Sequence, residues 1–360
     1  MISLIPVYLC LLSTRNIYSY NSLALLFSKI CYNIRQFLIF RNTYIIRSDD
    51  MNESFSVIMS NAINRCNCIK VEDGMLQSIY PFTTENISGY IDKFNLKDKS
   101  LLTVGSSGDQ VINAILKGCK DIALLDINPY TKFYYYLKVA SILTLNLDEF
   151  MAFLRYKDYP EVFVDNKNVF NIETWNKVKI VLRLIDYESY LFWDELFQTI
   201  NPIKTRKRLF SLDKCNTNII SSCNNYLKSK DLYEETRNKV KKISPTFINS
   251  DIFNVDLKRK YDNIWLSNIG TSITKEEMII NITDNLTKFL NKDGLILISY
   301  LYETDKNTKY KDDWSIIYNL DRTFELLKDY KPYLETFTGI NDLKFSSNNM
   351  NDSILVYRKH

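Results

Sequence analysis

Two glycines, Gly105 and Gly108, enclose Ser106 and Ser107 directly after a short apolar run, Ser100–Val104. Asp126 stands 21 residues after Gly105, at the end of a second apolar run, Ile122–Leu125. Glycine lacks a Cβ, so its backbone can turn sharply and let a ligand approach closely. Serine hydroxyls and backbone N–H groups at a helix start suit a carboxylate or another anionic group. An acid at about this interval from such a turn hydrogen-bonds ribose hydroxyls in nucleotide-binding folds. Turn and acid together describe a seat for a nucleoside.

Such a seat needs parallel strands whose carboxyl ends share one edge. Ser100–Val104 reads as a strand, the turn follows, and Asp109 to Lys117 reads as a helix with Val111, Ile112, Ile115 and Leu116 on its apolar side and Gly118 as its stop. Ile122–Leu125 is the next strand. Asn128 caps a helix with Pro129 at its first position, running to about Leu143. Strand, turn, helix, strand and helix in this order predict an α/β fold built on a parallel sheet covered on both faces.

The pattern breaks between about 146 and 241, which reads as a mostly helical insertion, and resumes with strands at Pro245–Asn249 and Tyr261–Asn268. Thr274 and Glu277 form a capping box for a helix whose apolar set is Met278, Ile279, Ile282, Leu286, Phe289 and Leu290. A strand at Gly294–Ser299 and a helix from Trp314 to Asp329 follow. Tyr333–Phe337 and Ser353–Tyr357 are expected to pair as an antiparallel end of the sheet. The organisation read from this is an N-terminal extension (1–50), an N-terminal helical segment (51–97) and a Rossmann-like domain (98–360) carrying the insertion.

Composition excludes several chemistries. Of 360 residues only one is histidine, His360, at the very end. Ser-His-Asp triads, Cys-His pairs and His-ligated zinc all need a positioned imidazole. The seven cysteines include no CxxC pair and imply reduced thiols in a cytoplasmic protein, with no metal site. A formal charge of +4 without a dense basic run gives no footprint for nucleic acid. Residues 1–48 hold five basic residues and no acid; they read either as a membrane-facing arm or, preferably, as an extension upstream of a start at Met51. Membrane contact is expected through that segment alone.

The turn is GxxG and lacks the full GxGxxG fingerprint, so these features alone leave NAD, FAD and S-adenosylmethionine open. Leu102–Gln110, however, resembles the first motif of class I S-adenosylmethionine-dependent methyltransferases. Leu124-Leu-Asp-Ile-Asn128 resembles their ribose-binding strand end, Asn249-Ser-Asp-Ile252 their adenine-contacting segment, and Leu266-Ser-Asn-Ile269 their fourth-strand motif. The resemblance spans about residues 98–145 and 245–358. It implies S-adenosylmethionine as cofactor, held by Gly105, Ser106, Ser107 and Gly108, by Asp126, Ile127 and Asn128, by Asp251 and Ile252, and by Ser267 and Asn268. Within the superfamily, Gly105 through Pro129 and on to Leu147-Asp-Glu-Phe150 is most similar to the BtaA-type family, which transfers a 3-amino-3-carboxypropyl group to a lipid hydroxyl.

A sulfonium cofactor needs no protein nucleophile, so the enzyme's tasks are alignment, holding the cation and excluding water. Tyr80, Phe82 and Glu85 precede the first strand and could close over the cofactor, with Thr83 and Thr84 offering hydroxyls. If the acceptor is a hydroxyl, the base must be a carboxylate or a tyrosine: Glu85, Asp109 and Tyr80 are the candidates. The expected activity is methyl or aminocarboxypropyl transfer to a small-molecule or lipid acceptor. A non-catalytic binding module and an NAD-dependent oxidoreductase stand as alternatives.

Overall fold

The computed structural model describes residues 53–68, 78–83, 85–105, 107–154, 172–210, 217–267, 269, 275–299, 324–326, 344–345, 348–349 and 354–360. The chain divides into two compact units, Met1–Val57 and Ile58–His360. Helix α1 (Glu53–Asn67) begins in the first, and everything below belongs to the second.

One short helix, α2 (Ile87–Tyr90), precedes the sheet. Its strands are β1 (Ser100–Val104), β2 (Asp121–Asp126), β3 (Thr246–Asn249), β4 (Tyr261–Trp265), β5 (Leu290–Ser299) and β6 (Phe324–Leu326). A ribbon of β7 (Lys344–Phe345) and β8 (Asn348–Asn349) stands apart, and β9 (Ile354–Lys359) returns to the sheet. The order among the described residues is β3-β2-β1-β4-β5-β9-β6. Neighbours from β3 to β5 run parallel, while β9 lies antiparallel between β5 and β6. This is the Rossmann-like fold with the antiparallel C-terminal edge of class I methyltransferases.

Leu101, Leu102 and Thr103 of β1 and Ile122 to Leu125 of β2 are buried without alternation, because helices cover both faces. On one face lie α3 (Asp109–Leu116), α4 (Tyr130–Thr144) and α10 (Lys230–Val240). On the other, Leu102, Ile264 and Ile296 meet Met278, Ile282 and Leu286. These last come from α11 (Lys275–Ile280) and the turns that follow it.

The helix expected through Leu290 therefore ends differently. Residues 281–285 widen into a π-turn, 286–289 tighten, and Leu290 already opens β5. Met278, Ile282, Leu286 and Leu290 recur every four residues, a spacing that a widened turn keeps on one face. β5 thus starts four residues earlier than expected, and its pairing with β4 slips between Tyr261 and Asn263.

Phe324–Leu326 is also a correction: it was expected inside a helix and is instead the edge strand beside β9. Three residues, Phe-Glu-Leu, are too few to show a period of their own, so the partner strand decides. The rest of that expected helix, Tyr333–Phe337 and the capping Thr274 lie outside the described residues.

Between α4 and β3 stand α5 (Leu147–Leu154), α6 (Ile172–Ile185), α7 (Tyr187–Thr199), α8 (Pro202–Leu209), α9 (Thr217–Cys223) and then α10. Helices α6 and α7 pack on α4. Phe133 stacks on Phe192 at 4.2 Å, and Trp193 Nε1 donates to Phe133 O at 2.9 Å. Much of the aromatic content is spent on this packing. Twelve of the 15 residues of α4 are buried, since the helix is enclosed by sheet and helical block together.

Candidate active site at the strand tips

Strands β1 and β4 are neighbours, yet the chain leaves them toward opposite edges of the sheet. At such a switch point the carboxyl ends open a crevice that neither crossover fills. Gly105 follows the tip of β1 and Ser267 the tip of β4.

The turn after β1 is tight. Gly105 N donates to Leu125 O at 2.7 Å, and Gly108 N returns to Gly105 O at 2.7 Å. A Cβ on Gly105 would lie 2.6 Å from Thr131 Cγ2 and 3.1 Å from Asp126 Oδ2, so only glycine fits there. Gly108 has φ +76°, and a Cβ on it would meet Tyr135 Cδ2 at 2.9 Å. The bare turn and the acid are thus in contact across β1 and β2. Ser106 lies outside the described residues.

Asp126 is partly buried. Its Oδ1 accepts from Asn128 N at 2.9 Å and its Oδ2 from Thr131 Oγ1 at 3.0 Å, which fixes the carboxylate at the strand tip. Asn128 Oδ1 accepts from Tyr130 N and so begins α4. Asn249 Nδ2 donates to the carbonyls of Asp126 and Ile127, tying the tip of β3 to the loop after β2. Ile127 is 72% exposed beside the acid, an apolar face at the crevice rim.

Two expectations after β3 change. Asp251 accepts from Phe253 N at 3.0 Å and from Asn254 Nδ2 at 2.6 Å, so its carboxylate closes its own turn. Ile252 is buried at 4% exposure, its side chain packed in the core cluster with Leu125 and Ile264.

Asp109 lies inside the fold, surrounded by donors. It is fully buried, and its Oδ2 accepts from Thr83 N at 2.6 Å and Ser107 Oγ at 2.9 Å. Its Oδ1 accepts from Lys138 Nζ at 2.5 Å and Tyr226 OH at 2.8 Å. Four donors fill the acceptor capacity of one carboxylate. Burial, with the Asp109 charge beside it, holds the Tyr226 phenol well above its ordinary range, so it remains a donor. Lys138 Nζ also donates to Ser107 O and lies 4.4 Å from the Phe82 ring centroid. Ser107 therefore turns its hydroxyl inward to Asp109, and Phe82 is core at 2% exposure.

Glu85 occupies a different place. It is 2% exposed, and its Oε1 accepts from Tyr90 OH and Ser299 Oγ. Its Oε2 accepts from Ser267 Oγ at 2.9 Å and Gln110 Nε2 at 3.1 Å. The carboxylate so joins the tips of β4 and β5 to the first turn of α3. Ser267 holds φ +53°, which bends the chain back after β4 and aims its hydroxyl at Glu85. Tyr80 is 53% exposed, away from this cluster's buried contacts, while its neighbour Pro81 is anchored through its carbonyl by Tyr134 OH at 2.6 Å. Asn268 and Thr84 lie outside the described residues.

The structure therefore brings Gly105, Gly108, Asp126, Asn128 and Ile127 together on the β1–β2 side, and Glu85 with Ser267 on the β4–β5 side. Sequence reasoning passed over Lys138, Gln110, Tyr226 and Ser299. The signal for Lys138 is a charge in the middle of a largely apolar helix, whose other charge, Lys132, lies in the first turn. Among the described residues no group of His, Cys, Asp or Glu could hold a metal, and no helix is long and apolar enough to cross a membrane.

No family model and no curated protein matches the chain. Among solved structures it is similar to a putative S-adenosylmethionine-dependent methyltransferase from Listeria monocytogenes, at 9% identity and TM-score 0.35 over 76% of this chain and 98% of that one. It is also similar to the N-methyltransferase NodS from Bradyrhizobium japonicum in complex with S-adenosylhomocysteine, at 9% identity and TM-score 0.33 over 84% and 98%. A putative rRNA-methylase from Clostridium thermocellum gives 9% identity and TM-score 0.33 over 76% and 94%. At these identities the functional reading rests on the site's own geometry.

Proposed function

We propose that this protein is an S-adenosylmethionine-dependent transferase whose cofactor lies across the tips of β1 and β2. The observation that carries this reading is the contact between Gly105 and Asp126: a turn with no room for a Cβ, held against a fixed carboxylate, at the switch point of the sheet. Asp126 fits the ribose hydroxyls, since its partly buried carboxylate is an acceptor fixed at the strand tip. Ile127 offers the exposed apolar face that a planar base needs. The strand order supports this cofactor over NAD, because dinucleotide folds continue in parallel where β9 here turns back.

When bound, the cofactor supplies a sulfonium centre that activates its attached carbons for displacement. The chain's own residues hold and orient. Gly105 keeps the turn low, Asp126 grips the sugar, and the Asp109–Lys138 pair fixes the turn from beneath. Glu85 takes the acceptor side, at the tips of β4 and β5. The group transferred is methyl or 3-amino-3-carboxypropyl. The helical block from α5 to α10 stands where the resemblance to the BtaA-type family places a long insertion, and this observation keeps the second alternative.

Calorimetry with S-adenosylhomocysteine and with NAD tests the cofactor. Binding of the first and not the second supports the reading; the reverse order overturns it. In turnover, S-adenosylhomocysteine as product marks methyl transfer, and methylthioadenosine marks aminocarboxypropyl transfer.

A further inference from the structure

The Glu85 carboxylate is buried, and its four hydrogen-bond partners among the described residues are neutral: Tyr90, Ser267, Gln110 and Ser299. No lysine or arginine among the described residues pairs with it. Asp109 shows the contrast, because its equally buried carboxylate has Lys138. Neutral dipoles spread a buried charge without cancelling it, and uncompensated buried charge is costly.

A second observation lies in the same cluster. Gln110 is 1% exposed, and its Oε1 has no hydrogen-bond partner. Its Nε2 faces Glu85 at 3.1 Å and Ser267 at 3.5 Å. Flipping the amide would set its oxygen against the carboxylate, so the orphaned atom is an acceptor. An unpaired acceptor next to an anion without a cation calls for one kind of ligand: a positively charged group with several N–H donors.

We propose that Gln110 Oε1, with the charge of the Glu85 carboxylate beside it, forms a subsite for a primary ammonium group at the β4–β5 half of the crevice; neutral donors already fill the lone-pair sites of Glu85, so the ammonium donates to Gln110 and meets Glu85 through charge. This inference rests on the reading that a nucleoside occupies the β1–β2 half. Strands are about 4.8 Å apart, so the cluster lies two to three strands, about 10–14 Å, from Asp126. Two molecules could bring the ammonium: an amine-bearing acceptor, or the amino-acid end of the cofactor itself. A sulfonium has no N–H and would leave Gln110 Oε1 unpaired.

The test uses the full chain and the variant Glu85→Gln. Three probes are titrated by calorimetry: S-adenosylhomocysteine, methylthioadenosine, which lacks the ammonium, and butylammonium chloride, with n-butanol as its neutral control. If the cofactor brings the ammonium, Glu85→Gln weakens S-adenosylhomocysteine at least tenfold and leaves methylthioadenosine unchanged. If the acceptor brings it, both nucleosides bind the variant as before, and butylammonium binding to the nucleoside-loaded protein falls at least tenfold. Unchanged affinity for every probe overturns the proposal, as does equal binding of n-butanol and butylammonium. Should Glu85→Gln fail to fold, Gln110→Leu keeps the carboxylate, removes the unpaired acceptor and is expected to weaken the same probe severalfold. If neither nucleoside binds the wild-type chain, the cofactor reading fails by itself, and butylammonium on the unliganded protein still decides the subsite.

Discussion

Lys138 Nζ meets Asp109 Oδ1 at 2.5 Å with both side chains fully excluded from solvent. The pair links the middle of α4 to the first turn of α3, and through Thr83 N and Ser107 Oγ it fixes both the segment before β1 and the turn after it. The turn proposed to receive the cofactor is therefore held from below by charge, in a place no solvent reaches.

Breaking that pair from one side leaves a buried charge alone. Lys138→Met is expected to cost about 3–5 kcal/mol in urea unfolding. Adding Asp109→Asn should cost less than the sum of the two single losses, because the second change removes the stranded charge. Strict additivity would show that the two groups are not coupled.

Gly105→Ala places a methyl 2.6 Å from Thr131 Cγ2. The turn must then lift, and affinity for S-adenosylhomocysteine should fall at least tenfold. Thr131→Ser removes that Cγ2 and keeps the hydroxyl on Asp126, so the double variant should recover much of the loss. Calorimetry on the four proteins reads this directly, and an undiminished Gly105→Ala would show the turn is not part of the seat.

Burial pushes the Cys119 thiol up to about 12 from its ordinary 9.0. A raised folded value favours the protonated form in the native state alone. The associated stability is complete below pH 9 and is lost as the pH rises from 9 toward 12. Wild type should thus lose stability over this window more steeply than Cys119→Ala, measured as urea midpoints at intervals of pH. Parallel declines would show that the thiol ionises equally in both states.

The strands that build the sheet are visible in the sequence where burial on both faces makes them continuous apolar runs, as in Leu101–Thr103 and Ile122–Leu125. Phe324–Leu326 is not, because its conformation follows from β9 lying beside it and not from its own three residues. Gly105 and Asp126 are legible because backbone clearance and an acid at a strand tip leave a spacing behind. Glu85 and Asp109 look alike as carboxylates in loops flanking β1. Only the fold separates them, by burying Lys138 against one and placing hydroxyls and an amide around the other. Ile252 and Asp251 fit a motif in sequence, yet packing assigns one to the core and the other to its own turn.

The carboxylate of Asp126 is proposed to grip a nucleoside of S-adenosylmethionine type. The most direct measurement is calorimetric titration of S-adenosylhomocysteine into wild type, Asp126→Ala and Thr131→Val. Loss of a hydrogen-bonded charge should weaken binding to Asp126→Ala by about 1–3 kcal/mol. Thr131→Val, which removes one intramolecular donor to Asp126 and keeps the carboxylate, should bind within about twofold of wild type. A folded Asp126→Ala that binds as tightly as wild type would contradict the account.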